Sequence, residues 1–434
     1  MDFLNNYILS ATSEHIALLK YLLILMFLIH LPFIGMIIGG TLFSVIFNIL
    51  DKIKPNRTYL NFSKDLINIV AVNRSTGVIL GIVPLLVITL IYAQMLYTLQ
   101  LQTVNFLIYS VIMVSLGFLM FYVYKYTFSK REDKFFFHIL HGILGIFLFC
   151  GAYFIFIGGL SLLLEPGEWE FIKNPVYLGL YLNGITKYLL FVLSSLAITG
   201  GSILFFFFNW QETKIDSSSD YARFVRNFGI VTALVFTLLQ PIAILWNLIV
   251  MPETALLPSI FSYSAIIIFL LLFITYMLYA MLKNAEKKFG TRIFFLFLLT
   301  FLITILNDQV TSGNSIKEQL LLLTYKADEM KNELKIKRGI VSGTAEVSEK
   351  IGASVFSRIC SQCHRFDRRL VGPSLSSVLP KYENKEEELM AFIHSPSKIN
   401  PGYPLMPKLA LKEEEIASVA RYVLKRLKSM SPSP

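Results

Sequence analysis

The chain has 434 residues, 55% of them hydrophobic and only 16% charged, with a net charge of +10. A mean hydropathy of +0.62 excludes an ordinary water-soluble globular protein and points to a membrane protein. Three cysteines exclude a disulfide framework, and no basic n-region or small-residue cleavage site announces a cleaved signal peptide.

Crossing ~30 Å of hydrocarbon takes about 20 apolar residues as a helix. Eight runs meet that length: 17–48, 67–97, 104–128, 135–164, 177–209, 228–250, 259–283 and 291–307. The first is long enough that it must tilt or project beyond the bilayer. Pro84 and Pro241 fall inside their runs, where the carbonyls they free need partners on neighbouring helices. Cys150 lies in an apolar run and reads as an inert buried thiol. Gly35, Gly39, Gly40, Gly158, Gly159, Gly200 and Gly201 are small residues that let helices approach closely.

The connections alternate in charge. Lys52, Lys54, Arg57 and Lys64 come after the first run. Lys125, Lys130, Arg131 and Lys134 lie between the third and fourth. Lys214, Arg223 and Arg226, then Lys283, Lys287, Lys288 and Arg292, continue the pattern. The segments between them carry no charge (98–103) or mostly acid, as at Glu165, Glu168, Glu170 and Glu253. The positive-inside rule therefore predicts an N-terminus outside, and eight crossings return the C-terminus outside.

The membrane region holds His15, His30, His138 and His141. His30 lies at mid-depth in the first run. His141 reaches the same depth if the first and fourth helices pack together, which would make the two candidate axial ligands of a b-type haem. The alternative is a histidine hydrogen-bonded to a neighbouring helix or reaching the boundary. Lys187 and Arg74 sit near helix ends, where snorkelling explains them, or pairing with haem propionates or another subunit.

Residues 309–348 form a polar connector, with a short surface helix expected over 319–334 and a joint at Gly339 and Gly343. Either the joint is mobile or the helix holds the C-terminal segment in place. The segment 349–434 reads as a small soluble domain. It contains Cys360-Ser361-Gln362-Cys363-His364, the attachment signature of a c-type haem. Two thiols three apart can reach two vinyl groups on one porphyrin edge, and the next residue supplies an imidazole to the iron. From Lys350 onward, fourteen basic and eight acidic residues leave a net of +6. That surface suits an acidic redox partner or anionic headgroups, or is simply solvated.

Further residues make this segment resemble a class I cytochrome c of the short c551/c553 type. They are Gly352 and Phe356, Val371-Gly372-Pro373-Ser374-Leu375, Pro404-Leu405-Met406-Pro407, and the tail from Lys412 to Lys428. The resemblance implies one covalent haem c. It implies a Gly352/Phe356 face crossed by the last helix at Tyr422 and Leu424. It implies that the Pro373 carbonyl holds the proximal imidazole of His364, and that Met406 is the distal ligand, with His394 or water as the alternatives.

The first run resembles, more loosely, the first helix of cytochrome bd oxidase subunit I. Lys20 stands ten before His30, a proline comes soon after, and Gly39 stands nine after. That likeness implies His30 as a haem ligand. Ala197-Ile198-Thr199-Gly200-Gly201 resembles a second ligand-bearing helix of that family, with Lys187 where a histidine is expected. The long outer loop that binds quinol and the Gly-Arg-Gln-Pro-Trp signature are missing.

The expected architecture is all-α: an eight-helix transmembrane bundle (1–308), a linker (309–348) and a periplasmic cytochrome domain (349–434). The expected function is one-electron transfer at the outer face of a bacterial inner membrane, beside lipid and other respiratory subunits. The alternatives are a quinol-oxidising subunit passing electrons from haem b to haem c, and a cofactor-free scaffold. The location excludes nucleic acid as a partner.

Overall fold

A computed structural model describes residues 13–70, 74–96, 103–165, 172, 174–210, 219–284, 289–317, 320–321, 324–325, 327–330 and 344–430. The chain divides into two compact units, Met1–Asp328 and Glu329–Pro434. All regular structure among the described residues is helical.

In the first unit, α1 spans Ser13–Ile53 and α2 Arg57–Val70. A π-helical stretch, Gly77–Ile82, leads into α3, Val83–Leu96. Next come α4 Thr103–Tyr126, α5 Phe135–Ser161, α6 Leu182–Phe205, α7 Asp220–Ile249, α8 Pro258–Lys283 and α9 Gly290–Ser315. Among the described residues, eight helical stretches are long and apolar enough to cross a membrane, so this is a multi-pass membrane protein. Local sequence sets several starts. Ser219 Oγ accepts from the Ala222 amide at 3.1 Å to cap α7, and Pro258 occupies the first turn of α8, where its missing N–H is harmless.

The second apolar run does not cross as a single helix over 67–97. Residues up to Val70 belong to α2, which is amphipathic: Phe62 and Leu66 are buried while Asn61, Lys64 and Asn68 are exposed. The crossing itself starts at Gly77. The last span runs further than its apolar stretch, to Ser315. Its polar residues stay helical because they find partners, Asp308 with Lys187 at 2.9 Å and Gln309 with the Tyr92 hydroxyl at 3.3 Å. The described residues between Lys317 and Met330 are also helical, as expected for the connector. The joint at Gly339 and Gly343 lies outside the described residues, as do Lys214, Glu168 and Glu170.

Helix α1 is the axis of the unit and packs against α2, α3, α5, α6 and α9. Helix α6 is wedged between α1 and α7. Thr199 Oγ1 lies 3.4 Å from the Gly35 carbonyl, and a Cβ at Gly200 would sit 2.5 Å from the Ala233 amide nitrogen. Only the absence of side-chain bulk permits that backbone approach. Pro84 cannot donate to the carbonyl four residues earlier, that of Leu80. His30 Nδ1, on α1, lies 3.3 Å from that oxygen and supplies the missing proton.

The second unit comprises α10 Thr344–Arg358, a 3-10 turn at Cys360–Gln362, α11 Leu375–Val378, α12 Glu386–His394 and α13 Glu413–Met430. Three glutamates open α13 and Lys428 lies in its last turn, in favourable order for the helix dipole. Its core gathers Val355, Phe366, Leu375, Leu379, Leu389 and Val419.

Candidate functional site

The Cys360–His364 stretch is held by backbone geometry before any side chain acts. The turn closes with the Cys363 and His364 amides on the Cys360 carbonyl, at 3.1 and 2.9 Å. The Gly372 amide donates to the Cys363 carbonyl at 2.8 Å, and the Leu375 and Ser376 amides to Arg365 and Phe366 at 2.8 and 3.1 Å. The segment 372–376 is thereby fastened alongside the motif. His364 Nδ1 comes within 3.1 Å of the Pro373 carbonyl. A carbonyl can only accept, so Nδ1 bears the proton and Nε2 is left with its lone pair. A Cβ at Gly372 would run into the imidazole ring, so glycine is what allows the ring to lie against this backbone.

Cys360, Cys363, His364 and Met406 all line one cavity of about 1410 Å³ including its open mouth. Its walls are apolar, formed among others by Phe356, Leu375, Leu379, Leu389, Ile393 and Val419. Both cysteines are free and half-buried. Burial, and secondarily Cys363, pushes the Cys360 thiol up to about 11. Met406 is half-buried on the loop between α12 and α13, whereas His394 is exposed at the end of α12 and does not line the cavity. Val371, Ile399 and Leu405 line the cavity and are 51%, 58% and 58% exposed, which puts apolar surface at its mouth beside Lys381 and Lys398. The set of two thiols, an imidazole with a free Nε2 and a thioether in an apolar chamber fits a covalently attached haem.

Two helices brace the site. A Cβ at Gly352 of α10 would collide with the Ser418 carbonyl of α13 and approach Tyr422 Cβ at 2.6 Å. Phe356 packs on Tyr422 and Phe366, with ring centroids 5.7 and 5.2 Å apart. Tyr422 is therefore where the resemblance put it, and Leu424 is a half-buried member of the same core. Ion pairs close the crossing, Arg358–Glu415 at 3.3 Å and Lys425–Glu349. Sequence reading missed Arg369, which stacks 4.5 Å from the centre of the Tyr403 ring and reaches the Gly402 carbonyl at 3.3 Å. It steadies the loop that presents Met406. The Arg368-Arg369 pair was visible in the sequence, but its partner lies 33 residues away.

In the membrane unit the two expected ligands do not meet. His30 is fully buried, and both of its ring nitrogens are engaged, Nδ1 by Leu80 and Nε2 by the Tyr153 hydroxyl. His141 lies twelve residues before Tyr153 on α5, about 18 Å along the helix axis, and turns Nδ1 to its own Phe137 carbonyl at 2.5 Å. The reason is register: the part of α5 at the depth of His30 is the turn around Tyr153. His138 joins a buried polar cluster. Its Nε2 meets Asn48 Nδ2 at 3.0 Å, its Nδ1 meets the Thr127 hydroxyl at 2.9 Å, and its ring stacks on Tyr124. Arg131 donates to Asn48 Oδ1 and pairs with Asp51 in the same cluster. Lys187 pairs within the chain, with Asp308. The side chain of Arg74 lies outside the described residues.

No family model matches the chain, and no curated protein matches it.

Proposed function

We propose that the protein is a membrane-anchored c-type cytochrome that relays single electrons as part of a respiratory complex. The observation that carries this reading is the convergence of Cys360, Cys363, His364 and Met406 on one apolar cavity. The haem would supply an iron that alternates between ferrous and ferric. The chain's own residues do the rest. Cys360 and Cys363 would hold the porphyrin covalently. The Pro373 carbonyl keeps the proton on Nδ1 of His364, so the Nε2 lone pair would be the one to hold the metal. The Met406 thioether would be the second residue to hold the iron, and the apolar walls would exclude water and favour the reduced, less charged state. Held by His364 and Met406, the group would supply electron transfer rather than substrate chemistry.

The charge alternation of the connections supports a periplasmic cytochrome domain on a bacterial inner membrane. The net positive surface and the apolar rim at Val371, Ile399 and Leu405 suit an acidic redox partner. The alternative of a quinol-oxidising subunit with haem b on His30 finds less support, because both ring nitrogens of His30 already have protein partners.

A pyridine haemochrome spectrum of the purified chain, with its intact mass, tests the reading. The expected result is one covalent haem, lost in a C360A/C363A variant. A chain free of covalent porphyrin would overturn it.

A further inference from the structure

The membrane unit contains a second cavity, of about 1250 Å³ including its mouth, that the electron-transfer reading does not use. It opens among α1, α3, α5, α6, α7, α8 and α9. Its depth is apolar, with Phe27, Leu31, Phe156, Phe297 and Phe301 among the walls. The polar residues at that depth are already committed. Ser194 donates to Gln240 at 3.0 Å, and the Thr300 and Thr304 hydroxyls donate to carbonyls of their own helix at 2.9 Å. The interior therefore asks for hydrocarbon.

The mouth is different. Lys187 and Asp308 form an ion pair across it at 2.9 Å, with side chains 12% and 47% exposed. Beside them on α9, Asn307 lines the cavity with Oδ1 buried and, among the described residues, without a hydrogen-bond partner. Helix α9 has 26 residues, about 39 Å, against ~30 Å of hydrocarbon. Asp308 stands seven residues from its end, about 10 Å, close to the polar edge of the hydrocarbon layer and within reach of a lipid head that dips to it.

We infer that this cavity binds one phospholipid with an ethanolamine headgroup. An acyl chain fills the aromatic interior, and the zwitterionic head lies over the ion pair. The phosphate meets the Lys187 ammonium. The lipid ammonium, with three N–H donors, meets the Asp308 carboxylate and gives Asn307 Oδ1 the proton it lacks. Other occupants match less well. An anionic head brings a phosphate but no cation, so Asp308 opposes it, and a glycerol hydroxyl donated to Asn307 does not offset that repulsion. A choline head is zwitterionic but has no N–H to donate. A neutral quinone head has no charges to set against the pair. This inference does not depend on the haem domain.

The test uses the full chain, purified in mild detergent, delipidated and offered phosphatidylethanolamine, phosphatidylcholine or phosphatidylglycerol. Bound lipid is counted by native mass spectrometry. One ethanolamine lipid should be retained per chain, preferred over the other two by about tenfold, the scale of one lost charge-assisted hydrogen bond. N307L removes the orphan acceptor, so it should leave the lipid-free melting temperature unchanged or raised while reducing the preference over choline to the share that Asp308 gives. K187D/D308K keeps an ion pair but reverses it, and should lose retention. Equal retention of choline or glycerol lipid by the parent chain would overturn the proposal. So would an N307L variant with undiminished preference, or an isoprenoid quinone co-purifying in the cavity instead of lipid.

Discussion

His30 Nδ1 lies 3.3 Å from the carbonyl oxygen of Leu80, the acceptor that Pro84 leaves free. Its other nitrogen takes the Tyr153 hydroxyl proton. One imidazole thereby ties α1 to both the π-helical stretch and α5. A His30→Phe variant would leave two buried polar groups unpaired and should lose about 1–3 kcal/mol for each. Thermal unfolding in detergent should show a clear drop, while haem content by pyridine haemochrome stays the same. Loss of a non-covalent haem signal with an unchanged melting temperature would mean that His30 is an iron ligand instead.

Arg131 and Asp51 form an ion pair whose side chains are 9% and 11% exposed, and the Asn56 amide also donates to Asp51 at 3.0 Å. Removing either charge alone leaves the other buried and uncompensated, so Arg131→Met should cost about 3–5 kcal/mol. The double variant Arg131→Met/Asp51→Leu should recover most of that loss. Denaturant titration of the three proteins checks it, and additive losses would refute the pairing account.

Gly352 faces the Ser418 backbone carbonyl, which cannot rotate away. Gly352→Ala should therefore strain the α10–α13 crossing by about 1–3 kcal/mol, and Gly352→Val by more. The readout is the unfolding temperature of the second unit, tracked by the absorbance of the proposed haem. No change in either variant would show that the crossing is loose.

Met406→Leu keeps the apolar volume and removes the thioether. In the proposed c-type cytochrome, the ferric form should then lack a methionine-to-iron charge-transfer band that the parent shows. The potential should fall by on the order of 100 mV, a fraction of the ~0.8 V range that axial ligands command. His394→Ala should alter neither. The opposite pattern would exchange the roles of the two residues.

Asp65, half-buried on α2, is raised above its ordinary 3.8, first by burial, with its Tyr221 hydrogen bond and the Lys64 charge pulling the other way. Its folded value exceeds its unfolded one, so folding takes up a proton. The stabilisation is complete below about 3.8 and is lost as pH rises through the folded value. Compared with Asp65→Asn, the parent chain should be relatively most stable at the acidic end of a pH series. Its advantage should shrink as pH rises, and a difference independent of pH would remove Asp65 as the cause.

Much of this was legible in the residues themselves. Apolar runs of bilayer length specify crossing helices without reference to anything distant, because no backbone group can go unpaired in hydrocarbon. The spacing Cys360-x-x-Cys363-His364 is likewise local. A tight turn presents all three side chains together whatever the rest of the chain does.

What the residues alone did not decide was which distant groups meet. The depth at which α5 passes His30 depends on helix register, and register put Tyr153 there and left His141 about 18 Å away. The end of α9 depended on whether Asp308 and Gln309 would find partners, and only packing brought Lys187 and Tyr92 to them. The orphaned carbonyl of Asn307, and the cavity it opens on, have no local signature at all. They arise where seven helices leave space between them, and such a space belongs to no single stretch of sequence.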